Sequence, residues 1–585
     1  MSRSALALLA IVLAGAALRI ALWGSQAIVS IDGTAYIRMA RSLLGEPGSP
    51  TVHQYGYPAL IAAVHAAVGD WVLAARLVAL VSGIAVIPLV WLLAGRVVAN
   101  PWLRLLPAAA AAFLPFPVRY SLTTMTESPY LALLLLAFLL AARSRWLASG
   151  ILGGLAYTVR PEALLAIGVI GLSRIRRVRV WSRLAAGALL VAAPYVIAVG
   201  VTQGSWSLSG KTINLASRDW REAEKQVGEE PVPGDLRSRL ERFGGEVIRG
   251  YPPRAVEIGE QVLRQGGWTA PLLALGGAVA GAAAWLLGGV AYLLLLPFAL
   301  VGPRARFVTP ALPFLWILAA VLLARVPRPP VRAVLAAVCL GGLGATAYLE
   351  RTGYLYNEDG YYPELVRAGE WLAGRAEPGQ VVASRKPYVA FYAGLSGVTP
   401  PTGDYHRVLD ELVEGDADYL VAHEGVLAVF RPELLPLVHD RGTIENEPRL
   451  RPIYHDVSDL GLRTLLYRVV RPGDTGPGDT PPSLDSIPHA GHHFAHAILA
   501  VQGGRWENAA RELDLVLARE PDHVQALLAR ARVLIELEGD PEEVLATVRR
   551  AEAIAPGDPQ VRSTLAGALR YAGRPEEAEK VRGGP

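Results

Sequence analysis

The stretch VLAARLVALVSGIAVIPLVWLLAG, residues 72–95, decides the class of this protein. As a helix it rises about 36 Å at 1.5 Å per residue, more than the roughly 30 Å of a bilayer's hydrocarbon core. It carries a single charge, Arg76. Comparable apolar runs stand near 4–24, 103–118, 128–142, 146–159, 161–173, 184–201, 268–284, 286–301, 308–324 and 332–349, which makes about eleven spans. Composition points the same way. Of 585 residues 52% are hydrophobic and 18% charged, where a soluble domain carries about 25% charged, and the mean hydropathy is +0.32. The deficit of charge falls on residues 1–350, whereas 351–585 reads as soluble protein. The expected fold is therefore a polytopic α-helical membrane protein followed by globular domains. The first run contains Ala14-Gly15-Ala16 but continues to Trp23, so it reads as an uncleaved anchor. Cys339 is the sole cysteine, which excludes an intrachain disulfide.

Short loops give the orientation. Arg96 and Arg104; Arg143 and Arg145; Arg174, Arg176, Arg177, Arg179 and Arg183; and Arg325, Arg328 and Arg332 fall in four connections without an Asp or Glu. Positive loops face the cytoplasm. The N-terminus is then expected inside, and the loops at 25–70, 118–127 and 202–267, with everything after 350, outside the cell membrane. The net charge of +4 marks topology on this reading, and no nucleic-acid partner is implied.

Charges at membrane depth cost about 2.5–3.5 kcal/mol each, yet polar residues gather at the outward helix ends. The first outer loop reads Ser30-Ile31-Asp32-Gly33-Thr34-Ala35-Tyr36, and spacing of three and four puts Asp32, Tyr36 and Ala40 on one face of a short surface helix. A plainer role for Ser30 and Asp32 is capping and dipole complementation. His53 and Gly56-Tyr57-Pro58 follow, then Arg119-Tyr120 and Thr126-Glu127, Arg160-Pro161-Glu162, Lys211, and Arg304-Ala305-Arg306. Glu127 could equally occupy a favourable first helical turn. Cations of this kind suit a phosphate, and a carboxylate suits abstraction of a hydroxyl proton.

Asp32 with Tyr36 and Ala40, Gly56-Tyr57-Pro58, Thr126-Glu127, Gly154-Leu155 through Arg160-Pro161-Glu162, and Arg306-Phe307 with Pro310 and Pro313 together resemble the GT-C glycosyltransferases of the protein O-mannosyltransferase, aminoarabinose transferase and RgtA/B/C/D-like type. The resemblance covers 1 to about 350 and extends more weakly through 351–470. It implies transfer of a sugar from a polyprenyl-phosphate carrier to a hydroxyl, with inversion. Asp32 would match the family's base and Glu127 its second acidic residue, which positions acceptor or a divalent metal. Arg160, Lys211 and Arg306 would hold the phosphate, with Tyr36, His53, Tyr57, Arg119, Glu162 and Arg304 as further substrate-binding candidates. Relatives often carry two adjacent acids where this chain has Asp32-Gly33, and the aminoarabinose enzymes a lysine where it has Tyr57. No metal or other cofactor is assigned. The acceptor stays open among glycolipid, polysaccharide and protein.

Residues 351–470 alternate helix and strand signals: Glu364–Arg375 and His406–Glu414 read as helices, and Gln380–Ala383, Tyr419–Ala422 and Thr464–Tyr467 as buried strands. A small α/β domain is expected, then a Pro/Gly linker over 471–487. Over 488–585, Gly504, Gly539 and Gly573, with Pro521 and Pro556, recur every 34 or 35 residues. That period reads as tetratricopeptide repeats, two units and part of a third, for protein docking, self-association or a stabilising cap. His492, His493 and His496 share a helix face but lack a fourth metal ligand. Two other classes compete with the enzyme. A transporter or flippase would place charges near the bilayer midplane in inverted repeats, which this chain does not show; an inactive scaffold would use the repeats alone.

Overall fold

The computed structural model describes residues 2–26, 28–46, 54–172, 177–203, 251–252, 254–267, 269–279, 305–351, 362–458, 461–473, 482–484, 491–502 and 506–582. They form two compact units, Met1–Tyr361 and Tyr362–Pro585.

In the first unit, helices α1 (Arg3–Ala21), α2 (Ile31–Leu43), α3 (Gly56–Val68), α4 (Trp71–Ala94), α5 (Leu105–Phe113), α6 (Pro115–Tyr120), α7 (Glu127–Ala142), α8 (Trp146–Val159), α9 (Ala163–Leu172) and α10 (Val178–Gln203) precede helices at Thr269–Val279, Leu312–Arg325 and Pro329–Leu349. Among the described residues five segments are long and apolar enough to cross a membrane: Arg3–Ala21, Trp71–Ala94, Val178–Ala198, Arg306–Arg325 and Pro329–Leu349. The chain is a multi-pass membrane protein. Its helices turn Leu6, Leu9, Leu13 and Ile20 of α1, and Leu189, Leu190, Ile197 and Val201 of α10, outward, a surface suited to lipid rather than water.

The expected spans need revision. The run 103–118 is two helices, because Pro115 and Pro117 offer no N–H to continue α5 and Leu114, between α5 and α6, is extended (φ −66°, ψ 137°). The run 161–173 yields the 10-residue α9. The run 286–301 lies outside the described residues, and 268–284 is described as far as Val279. At 13 residues, α2 is too short to span.

Small residues bring α8 and α10 into close contact. A Cβ at Gly150 of α8 would lie 2.1 Å from the Leu184 carbonyl of α10, and one at Gly187 of α10 would lie 2.2 Å from the Leu147 carbonyl of α8. Backbone thus packs on backbone, as small residues at four-residue spacing permit between membrane helices.

The second unit holds a five-stranded sheet in the order β2-β1-β3-β5-β4: β1 Val381–Ala383, β2 Ser396–Val398, β3 Tyr419–His423, β4 Leu450–Val457 and β5 Arg463–Val469. β1 runs parallel to β2 and β3, while β5 is antiparallel to β3 and β4. The expected strands are β1, β3 and β5. The edge strands β2 and β4 escaped sequence reading, since β2 is three exposed residues and β4 contains Pro452 with a bulge before Tyr454. Helix Pro363–Ala373 is tied to the sheet through Glu364, whose Oε1 lies 2.7 Å from His423 Nε2. His423 Nδ1 accepts from the Val426 N–H, so Nε2 carries the proton given to Glu364.

Six helices follow as three antiparallel pairs: Gly491–Gln502 with Trp506–Arg519, Val524–Glu536 with Pro541–Ile554, and Pro559–Tyr571 with Pro575–Arg582. The sequence reading of two repeats and part of a third becomes three pairs, the last helix being 8 residues long. Asp540-Pro541 and Asp558-Pro559 start two of these helices, the aspartate as N-cap and the proline at N1. Gly573 supplies a left-handed turn (φ +73°). Leu484 is buried in the core of the α/β portion, and Ile498 of the first repeat helix packs on that same core.

Phe494 seals this contact. Its ring centroid lies 4.9 Å from His439 and 4.9 Å from His523. Both imidazoles are held neutral by donors into Nδ1, Arg463 for His439 (3.3 Å) and the Ala526 N–H for His523 (3.2 Å). His439 Nε2 lies 3.4 Å from Glu424. Burial, then the Arg463 charge, lowers both histidines, His523 to about 4. Burial raises Glu424 and Glu520, with Arg463 opposing. A histidine depressed by folding gives stability that is full above its unfolded pKa of about 6.5 and is lost as pH falls towards the folded value. Amide exchange of 491–502 and 524–536 in the full chain, corrected for its intrinsic pH dependence, is therefore expected to speed up about tenfold or more from pH 7.5 to 5.0. The His439→Gln/His523→Asn double variant should lose this acceleration; an equal acceleration there would refute the assignment.

Candidate active site

The site is built at the end of the first unit that carries α2. Ser30 is the N-cap of α2, its Oγ accepting the Gly33 N–H at 3.0 Å, and so fixes where the next turn points. Asp32 stands in that first turn and meets Arg306 from the turn Ala305–Val308, Nη1 to Oδ2 at 3.0 Å. One turn on, Tyr36 is buried. Burial pushes its phenol well above the usual value; Asp32 and Glu127 push the same way, and Arg160 and Arg306 oppose them. Two acids and two bases thus surround one neutral hydroxyl.

Glu127 opens α7, and its side chain is 1% exposed. Arg160, which caps the end of α8 in extended conformation (φ −147°, ψ 129°), reaches back to it, Nη1 to Oε1 at 2.7 Å. The same guanidinium forks onto Glu162, Nη2 to Oε1 at 2.9 Å and Nε to Oε2 at 3.4 Å, and donates to Thr126 Oγ1 at 3.4 Å. A buried charge needs such pairing. Glu127 Oε2 has no hydrogen-bond partner among the described residues.

Phe307 joins the two ion pairs. Arg160 lies 5.2 Å and Arg306 5.1 Å from its ring centroid, which keeps the two guanidiniums within roughly 10 Å of each other through cation–π contacts. Tyr57 backs the site: its ring meets Tyr36 edge-on at 5.2 Å, and its hydroxyl is committed to the Ala75 carbonyl at 2.9 Å. A Cβ at Gly56 would fall 2.6 Å from the Thr158 carbonyl, so glycine there lets α3 start against the end of α8, beside Arg160.

Of the residues expected from sequence, Asp32, Tyr36, Tyr57, Glu127, Arg160, Glu162 and Arg306 are gathered. Arg119 is buried in a different setting, donating to the Tyr120 hydroxyl at 2.9 Å with its guanidinium over the rings of Phe116 and Tyr120. His53, Lys211 and Arg304 lie outside the described residues. So do the side chains of His492 and His496, whereas His493 Nδ1 lies 2.8 Å from Glu512. Sequence reasoning passed over Thr124 and Arg19. Arg19, 1% exposed at the end of an apolar run, carried the clearest signal, that of a charge where lipid is expected.

Among the described residues no group of three or more His, Cys, Asp or Glu could hold a metal ion. Each carboxylate here is matched to an arginine instead, a donor set that does not fit a divalent cation.

Residues 500–566 match the family model described as tetratricopeptide repeat. Among solved structures, the chain is similar to ArnT from Cupriavidus metallidurans in the apo state, with TM-score 0.49, 14% identity, and coverage of 77% of this chain and 97% of that one. It is similar also to the same protein bound to undecaprenyl phosphate, with TM-score 0.49, 13% identity, and coverage of 80% and 98%. No curated protein sequence matches the chain.

Removing a buried guanidinium leaves its carboxylates without countercharge. Arg160→Met is expected to destabilise by about 3–5 kcal/mol, seen as a lower unfolding midpoint of the purified protein in lipid. Adding Glu127→Gln should recover part of the loss; strict additivity of the two changes would show that the pair does not interact.

Proposed function

We propose that this protein is a membrane glycosyltransferase that moves a sugar from a polyprenyl-phosphate carrier to an acceptor hydroxyl at the extracytoplasmic face. One observation carries the reading: the Asp32–Arg306 and Glu127–Arg160 pairs converge on Phe307 and Tyr36 at one end of an apolar helix bundle. The arginine-rich short loops support the orientation, and the ordered motifs shared with the GT-C enzymes support the substrate class.

In the proposed reaction an acceptor oxygen attacks the anomeric carbon. The new C–O bond forms as the carbon–phosphate-oxygen bond breaks on the opposite face, with inversion. The acceptor's proton passes to the Asp32 carboxylate, and the electron pair of the broken bond leaves on the carrier phosphate. Arg306 orients Asp32 and is placed to turn towards the leaving anion. Glu127 Oε2, a buried acceptor atom, receives a substrate hydroxyl, while Arg160 keeps that carboxylate in position. Asp32, Glu127 and Glu162 against Arg160 and Arg306 leave the cluster one formal negative charge in excess. A phosphate therefore needs further cations, a role we assign to Lys211 and Arg304. No step passes through a metal. The repeats serve as a docking module for a protein partner or a second copy.

The purified full chain in lipid is expected to release polyprenyl phosphate from a polyprenyl-phosphate hexose when given membrane acceptors. Asp32→Asn should lose on the order of 10²–10⁴-fold in turnover, the scale of a general base. Arg306→Met should raise the donor KM. Full turnover by Asp32→Asn would remove it as base, and no turnover with any such donor would remove the reading.

A further inference from the structure

Between α6 and α7 the chain reads Ser121-Leu122-Thr123-Thr124-Met125-Thr126. Connections normally run over the surface, where water satisfies their polar groups. None of these six residues is more than 3% exposed, so the protein itself must answer for their hydrogen bonds.

At the foot of the segment stands Arg19 of α1. Its Nε donates to Ser121 Oγ at 2.8 Å, Nη1 to the carbonyls of Gly15 (3.0 Å) and Ala112 (2.9 Å), and Nη2 to the Ala111 carbonyl at 3.0 Å. The sequence explains the last bond. The Ala111 carbonyl would ordinarily take the N–H of residue 115, which is proline and has none. The break between α5 and α6 thus frees acceptors, and Arg19 fills them while gripping Ser121. Room for the grip comes from Gly83 of α4, where a Cβ would lie 2.2 Å from Ser121 Cβ.

At the head of the segment Thr124 locks onto α2. Its Oγ1 accepts the Ser30 N–H at 3.0 Å, and its carbonyl lies 3.2 Å from Ser30 Oγ, the atom that caps Gly33. A Cβ at Gly33 would fall 2.0 Å from Thr124 Oγ1, so the threonine fills the space beside Asp32 that a second acidic side chain would need. Two residues later Thr126 is the N-cap residue of α7 and precedes Glu127.

We propose that the segment Ser121–Thr126, anchored by Arg19 and keyed into α2 by Thr124, is the positioning device that sets the separation of Asp32 and Glu127. Thr124, Ser121 and Arg19 are positioning residues and touch no reacting atom. Because misplacement by about 1 Å costs on the order of 10²-fold in rate, their effect falls on turnover rather than on binding. The inference rests on the transfer reading for its kinetic part, and a second readout stands apart from it.

The experiment compares the full chain in lipid with Thr124→Val, Thr124→Ser and Ser121→Ala. Thr124→Val should lower kcat by about 10- to 100-fold with donor KM changed less than about twofold; Thr124→Ser should restore most of kcat, and Ser121→Ala should show a smaller loss of the same kind. Amide exchange of 30–43 should quicken in Thr124→Val, return in Thr124→Ser, and leave 71–94 unchanged. Wild-type kcat in Thr124→Val, or a raised KM at unchanged kcat, would overturn the proposal. Should the wild type turn over no polyprenyl-phosphate sugar, the transfer reading fails and exchange decides: an unaltered 30–43 segment in Thr124→Val overturns the positioning role.

Discussion

The guanidinium of Arg160 is the constraint around which the site closes. It is buried and bound to two carboxylates, Glu127 at 2.7 Å and Glu162 at 2.9 Å. Leaving it, or either acid, alone in such surroundings would cost several kcal/mol. The start of α7 and the end of α8 are therefore held together, and with them the turn that opens α3 against Thr158. The second pair, Asp32 with Arg306, extends the same arrangement to α2, and Phe307 joins the two.

The bundle beneath has few polar means of holding such a site. Lipid offers helices little hydrophobic reason to associate, so close approach at glycine replaces it between α8 and α10. Where the break at Pro115 frees backbone carbonyls, a charged side chain, that of Arg19, supplies donors. Breaking a helix and burying Arg19 would each be costly alone; together each offsets the other.

How much of this could be read from the chain depends on what each residue's role required. Apolar runs such as 72–95 announce themselves by length, and the Ser30 cap and the face shared by Asp32 and Tyr36 follow from helical spacing. The repeat period is visible because Gly504, Gly539 and Gly573, with Pro521 and Pro556, recur every 34 or 35 residues. By contrast, nothing local distinguishes Gly33 as a point of close approach, since the atom that requires it belongs to Thr124, ninety-one positions away. Arg19 and Thr124 derive their meaning from partners distant in sequence, and edge strands β2 and β4 lack the alternation that marks a half-buried strand. Pairing of Asp32 with Arg306 was likewise invisible, because 274 residues separate them.

Arg160 and Arg306 each already have an acidic companion, and that has a thermodynamic consequence on the proposed reading. At these two guanidiniums an arriving lipid phosphate does not meet bare positive charge; it exchanges one ionic companion for another. The attraction available to it is the difference between two pairings, not the whole of one. A spent carrier is held no more tightly than that difference allows, and the carboxylates stand ready to reclaim their arginines as it departs.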